Sequence, residues 1–481
     1  MKSLMVLKAI GMMLIFFSLI FIPALAIAWF ENDGMQIVFL ESFIITLLSG
    51  IFLWFAFPKI EKEFSRADGF LIVVTIWVST SFFGSLPFIF GHFLEHIADA
   101  FFETVSGVTT TGATVMHDLT IYPISIQFYH QFLQFIGGIG IVVIASALMP
   151  MMKIGGMNIY NAEMPGPAKE QKLMPRLSQS AMMLCRIYVL LNIGCMIFFK
   201  LSGLTWFQAV CEAFATVSTG GFSLHADSFG HYSRLAQMVA VLFMILGGIN
   251  FQLHYVFFKL KERKIYWQNF ESKYFLKTII YCVLIVFVSL LVLRHDEHGN
   301  KAFINSLFTV VSVITTTGFV NTDFASWPSF LPVFVLLLGL VGGCAGSTTG
   351  GVKLVRVIVS IKQCFLILKQ LVHPAAVLRM TFGDQLVRDD MIRHIMAFMV
   401  LFFYTYVFLF LCLLATGLNF NTAFAALTAS ISNVGASIGE VSSTYVLINK
   451  PAKYLLTLAM LIGRIEIMTI FVILQPSYWK E

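Results

Sequence analysis

Apolar runs of about 20 residues recur along the whole chain and are separated by short polar stretches. That length lets a helix cross a bilayer. Two runs, Leu4–Phe30 and Gln36–Phe57, lead the sequence. The first is too long for the apolar core of a secretory signal. It also lacks a small-residue cleavage site, so it is expected to stay in the mature chain. The remainder repeats one pattern four times. A long apolar span comes first, then a shorter helix-like run ending in a Thr/Ser/Gly segment, then a second long span. The units cover Phe70–Met149, Ala181–Phe258, Tyr274–Gln370 and Ile392–Leu474. Their short runs lie at Ala98–Thr109, Trp206–Val217, Ala302–Ile314 and Asn421–Ile431. Apolar runs of about 10–14 residues suit a re-entrant helix rather than a full crossing.

The short runs end in four related segments: Val108-Thr109-Thr110-Thr111-Gly112, Val217-Ser218-Thr219-Gly220, Ile314-Thr315-Thr316-Thr317-Gly318 and Ser432-Asn433-Val434-Gly435. A second pattern recurs downstream of each, inside the closing span. It reads Gly137-Gly138-Ile139-Gly140, Gly247-Gly248-Ile249-Asn250, Gly342-Gly343-Cys344-Ala345 and Gly463-Arg464-Ile465-Glu466. One Thr-Thr-Gly is ordinarily a helix stop with a glycine cap. Four in register, each followed by the second pattern, call for another explanation.

Irregular backbone at membrane depth survives only where protein or a water-filled path surrounds it. Four such segments converging on one axis present rings of carbonyl oxygens, which replace the hydration shell of an alkali cation. Glycine supplies the φ > 0 conformations that such a segment needs. Threonine adds a hydroxyl oxygen. The short helices point their partly negative C-terminal ends at the axis, which favours a cation there.

Composition agrees: 58% of residues are hydrophobic and 12% charged, against about 25% charged in a soluble domain. The formal charge of +6 is gathered in alternate loops rather than in a nucleic-acid-binding face. Lys59, Lys62 and Arg66 form one cluster, and Lys153, Lys169, Lys172 and Arg176 a second. Lys259, Lys261, Arg263 and Lys264 form a third, and Arg379, Arg388 and Arg393 a fourth. Arg294 and Lys301 break the alternation, with Asp296 and Glu297 between them. The positive-inside rule then puts the N-terminus and the basic loops in the cytoplasm. The seven cysteines are scattered through apolar stretches without a CxxC pair. They read as buried small hydrophobes rather than disulfides or metal ligands.

On the four Gly-centred segments, the broken third closing span, the arginine of the fourth and the two leading spans, the chain resembles the Trk/Ktr/HKT superfamily of cation transporters. The resemblance is nearest to its TrkH/TrkG potassium-uptake branch and covers essentially the whole sequence. It implies an all-α polytopic membrane protein of the bacterial inner membrane. Four M1–pore helix–M2 repeats would surround one pseudo-fourfold pore, with two extra N-terminal helices. The expected divisions are 1–68 for the two leading helices, then 69–180, 181–272, 273–391 and 392–481 for the four repeats. The family further implies a homodimer with two pores. It also implies a cytosolic TrkA-type ring that binds NAD or ATP/ADP and docks on the basic loops. This chain has no GxGxxG of its own.

Potassium is the expected cargo. Its site would comprise Thr110, Thr111 and Gly112; Ser218, Thr219 and Gly220; Thr316, Thr317 and Gly318; and Asn433, Val434 and Gly435. In this family a serine at the first filter glycine goes with sodium permeation, and here Gly112, Gly220, Gly318 and Gly435 are all glycine. The fourth segment lacks hydroxyls on the two residues before its glycine, so the filter is chemically unequal.

The third closing span is interrupted from Gly342 to Gly351, too glycine-rich for a helix interior. It is not a GxxxxGK[ST] phosphate loop and no strand precedes it. The family reading is an intramembrane gate made of Gly346, Ser347, Thr348, Thr349, Gly350 and Gly351, with Lys353 and Arg356 following. Arg464 stands where the other units place glycine. A charge in an apolar span is a functional position by default. It would repel queued ions, or hold the loop through its carbonyls, or pair with an acid. Glu466 lies on a different helix face at i,i+2, so a more distant partner is expected. Glu103 and Glu212 in the short helices would attract ions or brace the filter backbone. His117, Asp118, His225, Asp227 and Asp323 follow the filters and are expected to face an outer vestibule.

A second reading is an ion-coupled secondary transporter (K+/H+ or Na+ symport), built on broken helices at the midplane. Such transporters show two-part repeats rather than four pore-like units. An enzyme would need a polar catalytic cluster. No HExxH, GxSxG or paired intramembrane acid is present.

Overall fold

The structure is a computed structural model. It describes residues 2–57, 66–116, 118–140, 177–259, 261–262, 264–293, 299–376, 378–382, 385–387 and 389–480. Lys59, Lys62, His117, Lys153, Lys169, Lys172, Arg176, Arg263, Arg294, Asp296, Glu297 and Arg388 lie outside them.

The chain is a helical membrane protein. Among the described residues six helices are long and apolar enough to cross a membrane, or eight if each of two bent helix pairs is one span. A hairpin of two residues per strand, Thr381–Phe382 with Gln385–Leu386, is a minor addition. The first leading span is two helices, Lys2–Ser18 and Phe21–Glu31. Pro23 lacks an N–H and its ring crowds the carbonyl four residues back, which ends the helix at residues 19–20. The second leading helix, Gln36–Ala56, buries Ser42, Thr46 and Gly50 as a small-residue stripe. A Cβ on Gly11 would lie 2.8 Å from the Gly50 carbonyl, so the two backbones touch. Close approach through small residues is how helices pack where lipid supplies no hydrophobic drive.

Each unit then opens with a long helix: Arg66–Gly84, Leu177–Leu201, Phe270–Leu293 and Asp389–Ala415. These begin a few residues before the divisions expected at 69, 181, 273 and 392. Their outward faces are apolar, with Leu190, Tyr281, Phe403 and Phe408 exposed. Four short helices follow: Ile97–Val108, Trp206–Val217, Gly299–Ile314 and Phe420–Ile431. Thr205 and Gln208 form a capping box that starts the second.

The upper parts of the closing spans are Ile124–Ile139, Arg234–Gly248, Leu331–Val341 and Lys450–Ile465. Each packs on the short helix of the next unit, and the fourth packs back on the first, so the four units form a closed cycle. A partly buried ion pair, with the lysine buried and the aspartate half-buried, joins the fourth unit to the first. Lys453 Nζ lies 2.7 Å from Asp99 Oδ1, at the N-terminus of the first short helix. Removing one partner strands the other charge in this partly buried site, at a cost of up to about 3–5 kcal/mol. Asp99→Asn and Lys453→Met should therefore each lower the thermal midpoint of the purified protein in detergent. The double variant should recover part of the loss, because the two costs are not independent.

Two sequence expectations need correction. The sequence marks a break in the third closing span and none in the others, and the second and fourth bend as well, by 99° and 104°. Ile249 is extended, and Asn250 Oδ1 accepts Gln252 N at 2.9 Å to restart a helix over Phe251–Lys259. Glu466 takes φ +75° before the helix Ile467–Leu474. A glycine pair before Ile249 and one glycine before Glu466 are also what the unbroken pattern of a helix tolerates, so the sequence conceals both bends. Cysteine is the other case: Cys195, Cys211, Cys282 and Cys344 are buried, but Cys364 is exposed.

Candidate ion pathway

Each short helix runs into its Thr/Ser/Gly segment with the same backbone. Thr110, Thr219, Thr316 and Asn433 all take φ of +53° or +54°, in the left-handed region that side chains avoid. Their N–H groups donate to the carbonyls of Gly107, Thr216, Val313 and Ser430. The next residues, Thr111, Gly220, Thr317 and Val434, donate to Ser106, Ala215, Ser312 and Ala429. The glycines that follow are Gly112, Gly221, Gly318 and Gly435, at φ +81°, +83°, +82° and +73°.

This moves the second unit by one residue. Aligning the segments on their first glycine put Gly220 beside Gly112, Gly318 and Gly435. The backbone puts Gly221 there and Gly220 beside Thr111, Thr317 and Val434. The segment holds two glycines in a row, and only the conformation tells which one takes the left-handed position. Side chains before the ring glycines are therefore two threonines, a glycine and a valine.

The four segments close on one another. A Cβ built on Gly112 would overlap the carbonyl oxygen of Gly220. One on Gly221 would overlap that of Thr317, one on Gly318 that of Val434, and one on Gly435 that of Thr111. The cycle runs through units one, two, three, four and back to one. Glycine is required at each position by conformation and by space together. On one side the same four glycines line an open cavity of about 470 Å³, whose walls include His225, Asp227 and Asp323. Burial, and then the stacked ring of His231 at 3.8 Å, hold the His225 imidazole below its ordinary pKa. Asp118 instead caps residues 119–121, accepting Thr120 N at 3.0 Å.

Glu103 and Glu212 brace these segments. The Glu103 carboxylate accepts Val115 N at 2.7 Å and the Thr114 hydroxyl at 2.6 Å, with His130 Nε2 2.5 Å away. Glu212 accepts Leu224 N at 3.0 Å, Ser223 Oγ at 2.8 Å and the Tyr232 hydroxyl at 2.9 Å. Thr309 and Ala426 hold the matching positions in units three and four, so this brace belongs to half the ring.

On the other side sits the glycine-rich loop. Gly350 N donates to the Thr316 hydroxyl at 2.7 Å, and the Thr348 hydroxyl lies 3.3 Å from that of Thr219. Thr348 Oγ1 also donates to Val217 O at 3.1 Å. The loop thus hydrogen-bonds to two of the four left-handed threonine/asparagine positions, and Gly350 packs against a third, Asn433. Its flanks are held by Glu271 Oε1, which accepts Ala345 N at 2.7 Å, and by the Gly346 carbonyl, which accepts Phe251 N at 3.0 Å. That second bond uses an N–H exposed by the bend of the second closing span. Lys353 Nζ donates back to Thr349 O.

Arg464 reaches across this assembly. Its two terminal nitrogens each donate at 2.8 Å, one to Thr348 O on the loop and the other to Gly137 O on the first closing helix. Glu466 pairs instead with Arg356, Nη2 to Oε1 at 2.8 Å, and the Arg356 guanidinium lies 4.0 Å from the centre of the Phe398 ring. A cavity of about 110 Å³ bounded by the loop, Arg464, Arg356 and Lys353 lies beneath.

Comparison with known proteins agrees with this arrangement. Residues 35–480 match the family described as TrkH, cation transport protein. The chain belongs to the TrkH family. It is 38% identical to the Trk system potassium uptake protein TrkH of Vibrio parahaemolyticus, over 99% of each chain. It is 37% identical to TrkH of Escherichia coli strain K12, over 98% of this chain and 99% of the relative. Against TrkG of the same strain it is 36% identical, over 98% and 97%. The crystal structure of the potassium transporter TrkH from Vibrio parahaemolyticus superposes with a TM-score of 0.90 at 36% identity and covers all of both chains. Membership makes the chain a multi-pass transport protein rather than an enzyme.

Among the described residues, this TrkH-family chain brings the four Thr/Ser/Gly segments, the glycine-rich loop and Arg464 around one centre, whereas His117 lies outside the described residues and Asp118 caps residues 119–121. The structure adds three that the sequence did not mark: Gly221, Glu271 and Gln134. The doubled glycine pointed to the first. An acid at the start of an apolar span pointed to the second. Gln134 carried no signal beyond being a polar residue in an apolar helix.

Proposed function

We propose that the chain carries potassium into the cell through a channel-like pore. The four Gly-centred segments are its selectivity filter and Gly346–Gly351 its gate. The supporting observation is the cyclic overlap of Gly112, Gly221, Gly318 and Gly435 with their neighbours' carbonyl oxygens. Four short helices with C-terminal ends at that ring add favourable potential for a cation. Thr110, Thr219, Thr316 and Asn433 add side-chain oxygens at the loop side. The relatives named as potassium uptake proteins support potassium as cargo. Loop and filter are in direct hydrogen bond, which supports gating by withdrawal of the loop.

The large cavity is then the outer vestibule, and the basic residues Lys259, Lys261 and Lys264 lie on the cytoplasmic side of a bacterial inner membrane. The family likeness supports a homodimer and a cytosolic TrkA-type ring binding NAD or ATP/ADP. Flux of K+, Rb+ and Na+ into liposomes holding the purified protein tests the central reading. K+ and Rb+ should pass and Na+ should be excluded, without a proton gradient. Sodium flux equal to potassium flux would refute the filter. A strict need for a proton or sodium gradient would favour coupled transport instead.

A further inference from the structure

Gly220 occupies a ring position that holds Thr111, Thr317 and Val434 in the other units, and its φ lies outside the left-handed region. Nothing in its own backbone therefore demands glycine. Space does. The three atoms nearest a Cβ built on Gly220 are the carboxamide carbon, oxygen and nitrogen of Gln134. Gln134 comes from the first closing helix and is fully buried. Its Nε2 donates to the Gly220 carbonyl at 2.6 Å, and its Oε1 accepts Phe222 N at 3.2 Å. The two contacts fix the same amide orientation, since a backbone N–H requires the oxygen and a carbonyl requires the nitrogen. By spacing to Gly247, Gly342 and Gly463, the matching places hold Met244, Gly339 and Met460, none of which carries an amide side chain. Among the described residues no side chain donates to the equivalent carbonyls of Thr111, Thr317 and Val434.

We propose that Gln134 is a specificity-determining positioning residue of the filter. Its carboxamide fills the volume that Gly220 leaves empty and fixes the direction of the Gly220 carbonyl. One borrowed side chain thus completes the second quarter of the ring from the neighbouring unit. The clamp holds the segment on both sides of Gly221, so it sets the position of that glycine against Thr317 as well. A ring whose oxygens are held at fixed spacing discriminates cations by size and field strength; a ring with one loose quarter does not.

This inference rests on the filter reading, and one assay separates the two. The full-length protein is reconstituted in liposomes and the K+/Na+ flux ratio is measured. Gln134→Leu keeps the bulk and removes the amide, and should lower the ratio by about tenfold, the scale of one unmade buried hydrogen bond. Gln134→Ala should do the same. Gln134→Ala combined with Gly220→Thr returns a side chain to the ring position from its own unit, and should restore the ratio to within about twofold of the parent. A purely structural glutamine would change yield or flux without moving the ratio. Ratios unchanged in both single variants, or no recovery in the double variant, overturn the proposal. If the single variants do not fold, the double variant decides: selectivity kept supports the proposal, selectivity lost overturns it. Gly318→Ala serves as the control. If it leaves the ratio unchanged, the filter reading itself fails; if it alone moves the ratio, only the role of Gln134 fails.

Discussion

Gly318→Ala and Gly221→Ala should each collapse discrimination between potassium and sodium. Both residues sit at φ near +82°, where an L side chain costs about 1–2 kcal/mol before any neighbour is considered. The collision with the neighbouring segment costs more. The added methyl would overlap the carbonyl oxygen of Val434 in one case and of Thr317 in the other. Those oxygens are backbone and cannot swing aside as a side-chain tip does, so the next segment must move and the ring must open. We expect the K+/Na+ flux ratio to fall by at least about tenfold, the equivalent of ~1.4 kcal/mol. Gly417 provides the comparison. It has φ +91°, yet nothing lies within 4 Å of the site of its Cβ. Gly417→Ala therefore carries a similar conformational cost without the collision. It should reduce stability and leave the ratio intact. An equal loss of selectivity in Gly417→Ala would mean that the ratio reports general strain rather than filter geometry.

Positions of this kind also differ in how far the sequence reveals them. The short helix Trp206–Val217 lies where its apolar run places it, because a run too short to cross and ending in Ser-Thr-Gly has few alternatives. The cyclic packing follows from four similar units meeting at one axis. Gly221 was hidden because two adjacent glycines have the same composition, and only φ separates them. The bends at Ile249 and Glu466 were hidden because each depends on partners distant in sequence. Phe251 N needs Gly346 O, and Glu466 needs Arg356. Gln134 belongs to this class as well: its two partners lie in another unit, and no local pattern encodes them. Local conformation and repeat grammar are carried by neighbouring residues. The contacts that make the four units unequal are carried by pairs far apart in the chain.

That inequality is sharpest at Arg464, where two accounts of one residue predict different results. Its guanidinium spans Thr348 O on the loop and Gly137 O on the first closing helix, each at 2.8 Å. A hydrogen bond to a charged group contributes about 1.5–3 kcal/mol. Losing both should release the loop, and Arg464→Ala should raise potassium flux by at least about tenfold. Deleting Gly346–Gly351 should raise it too if the loop is the proposed gate. Arg464→Lys discriminates between the accounts. If the residue acts as a brace, lysine falls short, because a compact ammonium lacks the fork geometry to meet two carbonyls at fixed separation. Flux should then lie between the parent and Arg464→Ala. If the residue acts through its field on the queued ions, lysine keeps the charge and flux should stay at the parent level. Wild-type flux in both Arg464→Ala and the loop deletion would remove the gate from this region altogether. The position of Arg356 favours the brace. Arg356 takes Glu466 at 2.8 Å, while two nitrogens of Arg464 meet backbone carbonyls that join the loop to the first unit.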